Sequence, residues 1–373
     1  MLKELKLTNL LSFGSETKIT FNEGLNVLIG ANGSGKSNLI EVISLLQAMP
    51  KDLTQVIRGG GGIQEWLWKG EQNPIAKIET VIENTDETLA PFRHTFKFCA
   101  DGYQIEVINE SIEKIYLHAA AASSYPYYKY TRKKNQENKT YQSVLIQRQD
   151  PDNYPEIAYI SSCFQKIRFY REWQFGRNSI LRNPQRADLP NDFLDEDAGN
   201  LGLILSSFRR NSEVKRKLLE SLKLFYENIE DFEVIVQGGY VQVFFEENGF
   251  TIPATRLSDG TLRYLSLLAI LLHPEPPTLI CIEEPELGLH PDILPTLVDL
   301  LKEAAQKTQI IITTHSTDLI DDLTDMPEAV LVFDKEQGST SVNRLNKEDL
   351  KEWLDKYRLG ELWSRGHIGG NRW

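Results

Sequence analysis

The chain is short of what would place it in a membrane or staple it covalently. None of its apolar runs approaches the roughly 20 residues that a bilayer-spanning helix needs. Its three cysteines, Cys99, Cys163 and Cys281, are isolated and odd in number. They have no metal-ligand spacing, which argues against a disulfide framework and fits a reducing compartment. The six histidines form no metal cluster either. There is no internal repeat, no low-complexity tract and no sustained heptad, so a long coiled-coil arm is excluded. Met1-Leu-Lys-Glu-Leu reads as a strand and not as a leader. Excess positive charge is also missing. The formal charge of −12 excludes indiscriminate coating of nucleic acid. These absences together predict a cytoplasmic protein that spans no membrane. Its 373 residues suffice for more than one lobe.

What is present begins with Gly30-Ala31-Asn32-Gly33-Ser34-Gly35-Lys36-Ser37. This is the G-x-x-x-x-G-K-S pattern with an extra glycine at 33. An apolar run, Leu25 to Ile29, precedes it and reads as a buried strand. A helical apolar pattern, Asn38 to Met49, follows, which is the context the pattern requires. Glycines let backbone N–H groups curl around an anion, and the helix N-terminus adds favourable partial charge. Lys36 can reach β and γ phosphates and Ser37 can ligate magnesium, Mg2+. A tight glycine turn alone would not call for Lys-Ser at its end.

The second constellation is Thr278 to Pro291. An apolar strand, Leu279 to Ile282, ends in Glu283 and Glu284. Ligand-handling groups gather at the carboxyl ends of strands in open α/β sheets. The first carboxylate can hold hydrated magnesium, and the second can orient and deprotonate a water for attack on a γ-phosphate. A solvated acidic pair capping a strand is the bland alternative, and it fits poorly behind a buried-strand pattern. Two weaker signals flank this one. Leu257-Ser258-Asp259-Gly260-Thr261 precedes an apolar helix, Leu262 to Leu272, where a Ser is commonly just an N-cap. His315 follows a strand pattern, Gln309 to Thr313, where a lone histidine is commonly structural.

The order of these parts is more specific than any one of them. It resembles the ABC-type ATPase head of the SMC/RecF/OLD group, within the bacterial AAA-family ATPases often found in antiphage systems. Leu7-Thr-Asn-Leu-Leu-Ser-Phe13-Gly and Gly24 to Gly30 resemble that group's opening, and Asn200 to Leu205 carries a weaker likeness. The resemblance implies a P-loop NTPase of the ABC/SMC-head type: α/β, a mixed sheet with an N-terminal β lobe and an inserted, partly helical lobe. It places Gly30, Ala31, Asn32, Gly33, Ser34, Gly35, Lys36, Ser37 and Asn38 at Walker A, with Ser258 and Gly260 in the signature loop. Glu283 and Glu284 fall at Walker B, Leu287 to His290 at the D-loop, and His315 at the switch. Lys36, Glu284 and His315 are the implied catalytic residues, and Ser37 and Glu283 the metal ligands. Glu283 stands where the group usually has Asp. The Q-loop glutamine falls at Gln64 or Gln72 without a clear motif. The resemblance also implies a homodimer that sandwiches ATP between the Walker A of one subunit and the signature loop of the other.

Four segments follow from the motifs. Residues 1–110 carry Walker A, 111–231 read as the inserted lobe, 232–346 carry the remaining motifs, and 347–373 form a C-terminal helix and tail. A helix is expected at Ser212 to Asn228 and a hairpin at Phe232 to Glu246, broken at Gly238-Gly239. A further helix is expected at Asn346 to Lys356, with Asn346 as cap. Two basic stretches stand out, Tyr125 to Lys139 and Lys166 to Arg186. Arg132, Lys133 and Lys134 could neutralise DNA phosphates while tyrosines stack on bases. A solvated loop and a structural arginine network are the respective alternatives. The tail, with Trp363 and Trp373, reads as packed on its own domain or as a docking peptide.

Three functions remain compatible with these parts. The first is an ATPase that senses DNA or phage and gates a separate effector or nuclease. The second is a RecF-type repair ATPase. The third is the ATPase subunit of a membrane transporter. Asp259, where transporters usually have Gly, and the long separation of the motifs disfavour the third.

Overall fold

The computed structural model describes every residue except 85–89, 119–120, 133–138, 172, 174–175, 178 and 371–373. The chain forms two compact units. The first contains Met1–Ile167, Met326–Tyr357 and Glu361–Trp373; the second contains Arg168–Asp325 and Arg358–Gly360.

In the first unit, alternating apolar positions build a six-stranded antiparallel sheet. Its order is Thr17–Thr20, Leu2–Thr8, Ala76–Ile82, Phe92–Asp101, Gln104–His118, Ala121–Thr131. Burial alternates along Phe92–Asp101, with Phe92, His94, Phe96 and Phe98 inside, as a period-two pattern requires. His94 faces the core because it has a partner: its Nε2 lies 2.8 Å from Glu110 Oε1. Ser143 Oγ and Val144 N donate to the same carboxylate. The unit also holds Leu25–Gly30, which runs parallel to Val330–Glu336; the latter pairs antiparallel with Ser339–Arg344. All six residues of Leu25–Gly30 are buried, as expected of a strand covered on both faces. The helix Lys36–Ala48 follows directly.

The tail packs on this unit. Leu362 and Trp363 are buried. Gly370 donates its N–H to Asp334 Oδ2 at 2.9 Å. A side chain at Gly370 would press on Val332 and on the Cα of Gly30. Trp373 lies outside the described residues.

In the second unit, Leu279–Glu283 and Gln309–Thr313 run in parallel register, with Glu283 opposite Thr313. A separate antiparallel sheet is made of Ile229–Gln237, Tyr240–Glu247 and Phe250–Pro253, with Gln185–Arg186 pairing on Tyr240–Glu247. The hairpin turns at Gly238 and Gly239, both with left-handed φ. The helix Ser212–Phe225 starts on Asn211, whose side chain accepts from the N–H groups of Glu213 and Val214. It buries Val214, Leu218 and Leu222, one every turn. It stops short of the expected Asn228 because the chain must become extended at Ile229. The helix Asp259–Leu271 is buried from Thr261 to Leu271. Among the described residues no helix is long and apolar enough to cross a membrane.

Candidate functional site

In the first unit, the buried strand Leu25–Gly30 delivers the chain into a turn that only glycines can make. Gly30, Gly33 and Gly35 have φ of 148°, 77° and 111°. At Gly30 a Cβ would lie 2.3 Å from the Phe333 carbonyl oxygen, and at Gly35 it would lie 2.3 Å from Thr340 Oγ1. Among the described residues nothing lies within 4 Å of the position a Gly33 Cβ would take. The helix Lys36–Ala48 begins on Gly35 without a side-chain cap, and the N-terminus of a helix favours an anion. Asn32, Gly33 and Ser37 are exposed, while Ser34 and Lys36 are buried. The Lys36 ammonium donates to Gly30 O at 2.7 Å and to Ala31 O at 3.2 Å.

Distant segments brace this loop. Thr340 Oγ1 is 2.7 Å from both Ser34 O and Ser12 Oγ. A threonine hydroxyl carries one proton. It therefore donates to the carbonyl and accepts from Ser12, which explains the serine in the opening Leu-Leu-Ser-Phe. Asn38 follows in the helix's first turn. The glutamines considered for the Q-loop lie elsewhere: Gln64 donates to Gly102 O and Gln72 is exposed.

In the second unit, Ser258 caps the helix Asp259–Leu271 by accepting from Thr261 N at 3.1 Å. It is nonetheless exposed, as is Asp259. The loop before it is pinned by Arg182. That guanidinium donates to Thr255 O, Leu257 O, Gly176 O and Asp259 Oδ1 at 2.6–2.9 Å. A planar fork with five donors suits four acceptors of fixed geometry. Gly260 is closely packed: a Cβ there would lie 3.1 Å from Gly288 O and 3.4 Å from the Phe225 ring, so a side chain would press these neighbours apart by a few tenths of an ångström.

Glu283 and Glu284 end the strand Leu279–Glu283, where Ile280, Cys281 and Ile282 are fully buried. Burial pushes the Cys281 thiol well above the usual thiol range, so it serves as a small apolar residue. Arg171 Nε lies 3.6 Å from Glu283 Oε1, and its guanidinium sits over the Phe169 ring. Glu284 adopts φ 47°, a left-handed conformation that costs a non-glycine residue about 1–2 kcal/mol. Three contacts hold it there. Its N–H donates to Thr313 O at 3.0 Å and reaches Thr313 Oγ1 at 3.3 Å. Its carbonyl accepts from Arg263 Nη2 at 2.6 Å. Arg263 belongs to the helix Asp259–Leu271, and its guanidinium sits over the Trp173 ring. Glu284 Oε1 then lies 4.0 Å from His315 Nε2.

Sequence reading missed Glu286. Its Oε1 accepts from Thr314 Oγ1 at 2.6 Å and from His315 N at 3.1 Å. Burial raises its carboxyl above the usual range. The Pro-Glu spacing offered a signal only in hindsight, because the contacts come from a strand 28 residues away.

The expected cations divide. Arg168 sits over Phe193, Arg171 over Phe169 and beside Glu283, and Arg182 in the loop just described. Arg132 Nη1 is paired with Glu106 Oε1 at 2.7 Å. Lys133 and Lys134 lie outside the described residues. Tyr128 and Tyr154 both pack on the Arg148 guanidinium.

Residues 25–321 match the family described as "AAA domain, putative AbiEii toxin, Type IV TA system". An "ATP/GTP phosphatase" of Helicobacter pylori is 24% identical over 333 residues, covering 86% of this chain and 87% of that protein. The chromosome partition protein Smc of Lactiplantibacillus plantarum is 33% identical over 92 residues, 24% of this chain and only 8% of that much longer protein. Among solved structures, the Smc head bound to the C-winged helix domain of ScpA superposes with a TM-score of 0.61 at 15% identity, covering 93% of this chain and 99% of that one. The Pyrococcus furiosus Smc head with an extended coiled coil, bound to the C-terminal domain of ScpA, gives 0.58 at 13% identity, covering 95% and 98%. The chain therefore belongs to this family of AAA domains, and it is a P-loop ATPase with the α/β fold of an SMC head.

Proposed function

We propose that the chain is an ATP-driven switch: it dimerises around ATP and gates a separately encoded effector or nuclease in DNA-linked sensing, in antiphage defence. The glycine loop and Lys36 bind the phosphates. The Ser37 hydroxyl and the Glu283 carboxylate are the hard oxygen donors that Mg2+ takes, and the ion would offset charge at the phosphates. Glu284 orients and deprotonates the attacking water, with His315 beside it. Ser258 and Gly260 present the N-terminus of their helix to the γ-phosphate held by a second copy.

One observation carries this reading. Glu284 is kept in a strained left-handed backbone by Thr313 and Arg263, with its carboxylate next to His315. Strain of that kind concentrates at functional sites. The gating role draws on the toxin–antitoxin description of the family and on the phosphatase relative. The DNA link draws on the chromosome-partition relatives. With Arg132 paired to Glu106, that link rests on Lys133 and Lys134.

Glu284→Gln is the test. It should keep ATP binding, trap an ATP-dependent dimer and slow turnover by about 10²–10⁴, the usual contribution of a general base. The same assay with duplex DNA at two salt concentrations probes the DNA link, because phosphate contacts weaken steeply with salt. Unchanged turnover would remove Glu284 from the role, and a salt-independent response to DNA would remove phosphate recognition.

A further inference from the structure

Glu286 has the geometry of a tether. Its backbone is fixed by the turn that follows Glu284, in which Leu287 N donates to Glu284 O and Leu289 N to Glu286 O. Its side chain reaches out of that turn to the end of the neighbouring parallel strand. One oxygen receives both the Thr314 hydroxyl and the His315 N–H. The Thr314 hydroxyl in turn accepts from Ser316 N at 3.0 Å, and Ser316 caps the helix Thr317–Asp321. Residues 314, 315 and 316 are thus tied in sequence to one carboxyl group. The other oxygen, Oε2, is buried with no hydrogen-bond partner among the described residues.

We infer that Glu286 is a positioning residue for hydrolysis: it fixes the His315 backbone, and so sets the imidazole against the Glu284 carboxylate. Register makes this effective. Glu283 and Thr313 are opposite each other in the parallel pair, so the residues just beyond them, Glu284 and Thr314–His315, leave neighbouring strands side by side. Thr313 ties the pair from one direction, accepting from Glu284 N. Glu286 ties it from the other. The required property is acceptance of two hydrogen bonds, which an amide oxygen provides as well as a carboxylate oxygen.

The inference rests on Glu284 being the base, so Glu284→Gln is measured alongside. Glu286→Ala should lower kcat by about 10²-fold, the scale of a roughly 1 Å misplacement of a catalytic group. The KM for ATP should stay unchanged, because the phosphate loop is untouched. Glu286→Gln should restore most of the lost kcat. Thr314→Val, which removes one of the two donors with little change of shape, should lose an intermediate fraction of kcat; it serves as the readout if the alanine variant does not fold. A folded Glu286→Ala with wild-type kcat, or a glutamine variant as impaired as the alanine one, overturns the tether. Intact turnover in Glu284→Gln would instead mark failure of the underlying assignment.

Discussion

The phosphate loop and the carboxylate corner solve opposite problems. The loop binds with backbone. Its unusual φ angles fall on glycines, and its one buried cation rests on the carbonyls of Gly30 and Ala31. It pays little strain to be ready. The corner in the second unit works with side chains. There the left-handed φ falls on Glu284, a carboxyl oxygen of Glu286 is buried without a partner among the described residues, and Arg263 is desolvated, which lowers its affinity for protons. Holding an anion needs donors in a concave array. Moving a proton needs a base at one spot, and fixing it costs stability.

That contrast can be broken by substitutions of opposite sense. Gly30→Ala carries the largest expected effect. Its Cβ would collide with the Phe333 carbonyl, costing about 3 kcal/mol or more from the clash and the strained φ combined. Denaturant unfolding and nucleotide titration should show a lower midpoint and lost ATP binding; normal behaviour in both would mean the loop is not prebuilt. Arg182→Ala comes next. It leaves the carbonyls of Thr255 and Leu257 and the Asp259 carboxylate without their donor, for about 2 kcal/mol. It should weaken ATP-dependent association while leaving ATP binding to the single subunit unchanged. Arg182→Lys should not rescue it, since an ammonium cannot reproduce the fork. Association at wild-type strength would show that the signature loop needs no brace. The smallest effect runs the other way. Glu284→Gly should stabilise the fold by about 0.5–1 kcal/mol, the left-handed penalty less glycine's chain entropy, while turnover disappears. A urea midpoint at or below that of the wild type would argue that Glu284 is not strained.

Local signals in the chain predicted local structure well. The strand Gln309–Thr313 has the bounds its apolar run suggests. The hairpin turns at Gly238-Gly239, and Asn346 caps its helix by accepting from Glu348 N. The glycine loop was legible because its chemistry is written in eight consecutive residues. What escaped depends on partners far apart in the chain. Thr340 braces Ser34 across 306 residues, and Glu286 meets Thr314 and His315 beyond the end of the neighbouring strand. The left-handed Glu284 was invisible for another reason: no residue type advertises a strained φ that tertiary contacts impose. Part of the tyrosine-rich stretch, weighed as a solvated loop, is the strand Ala121–Thr131. Its edge pairing with Gln104–His118 outweighs its polar composition. In the arginine stretch, Arg168 and Arg171 pack on aromatic rings and Arg182 donates to carbonyls.

The proposed site is composite, with Walker A of one subunit completed by the signature loop of another. Complementation between two inactive variants separates a shared site from one confined to a single subunit. Lys36→Ala should not bind ATP at its own loop but keeps its signature loop. Ser258→Arg binds ATP but should block the site of its partner with a bulky cation. Each variant alone should be inactive. Mixed in equal amounts, half of the dimers pair one of each and contain one intact site, so turnover should return to about a quarter of the wild-type rate per chain for a two-fold symmetric dimer. Turnover that stays at the level of the separate variants, with both shown to be folded, would contradict a site shared between subunits.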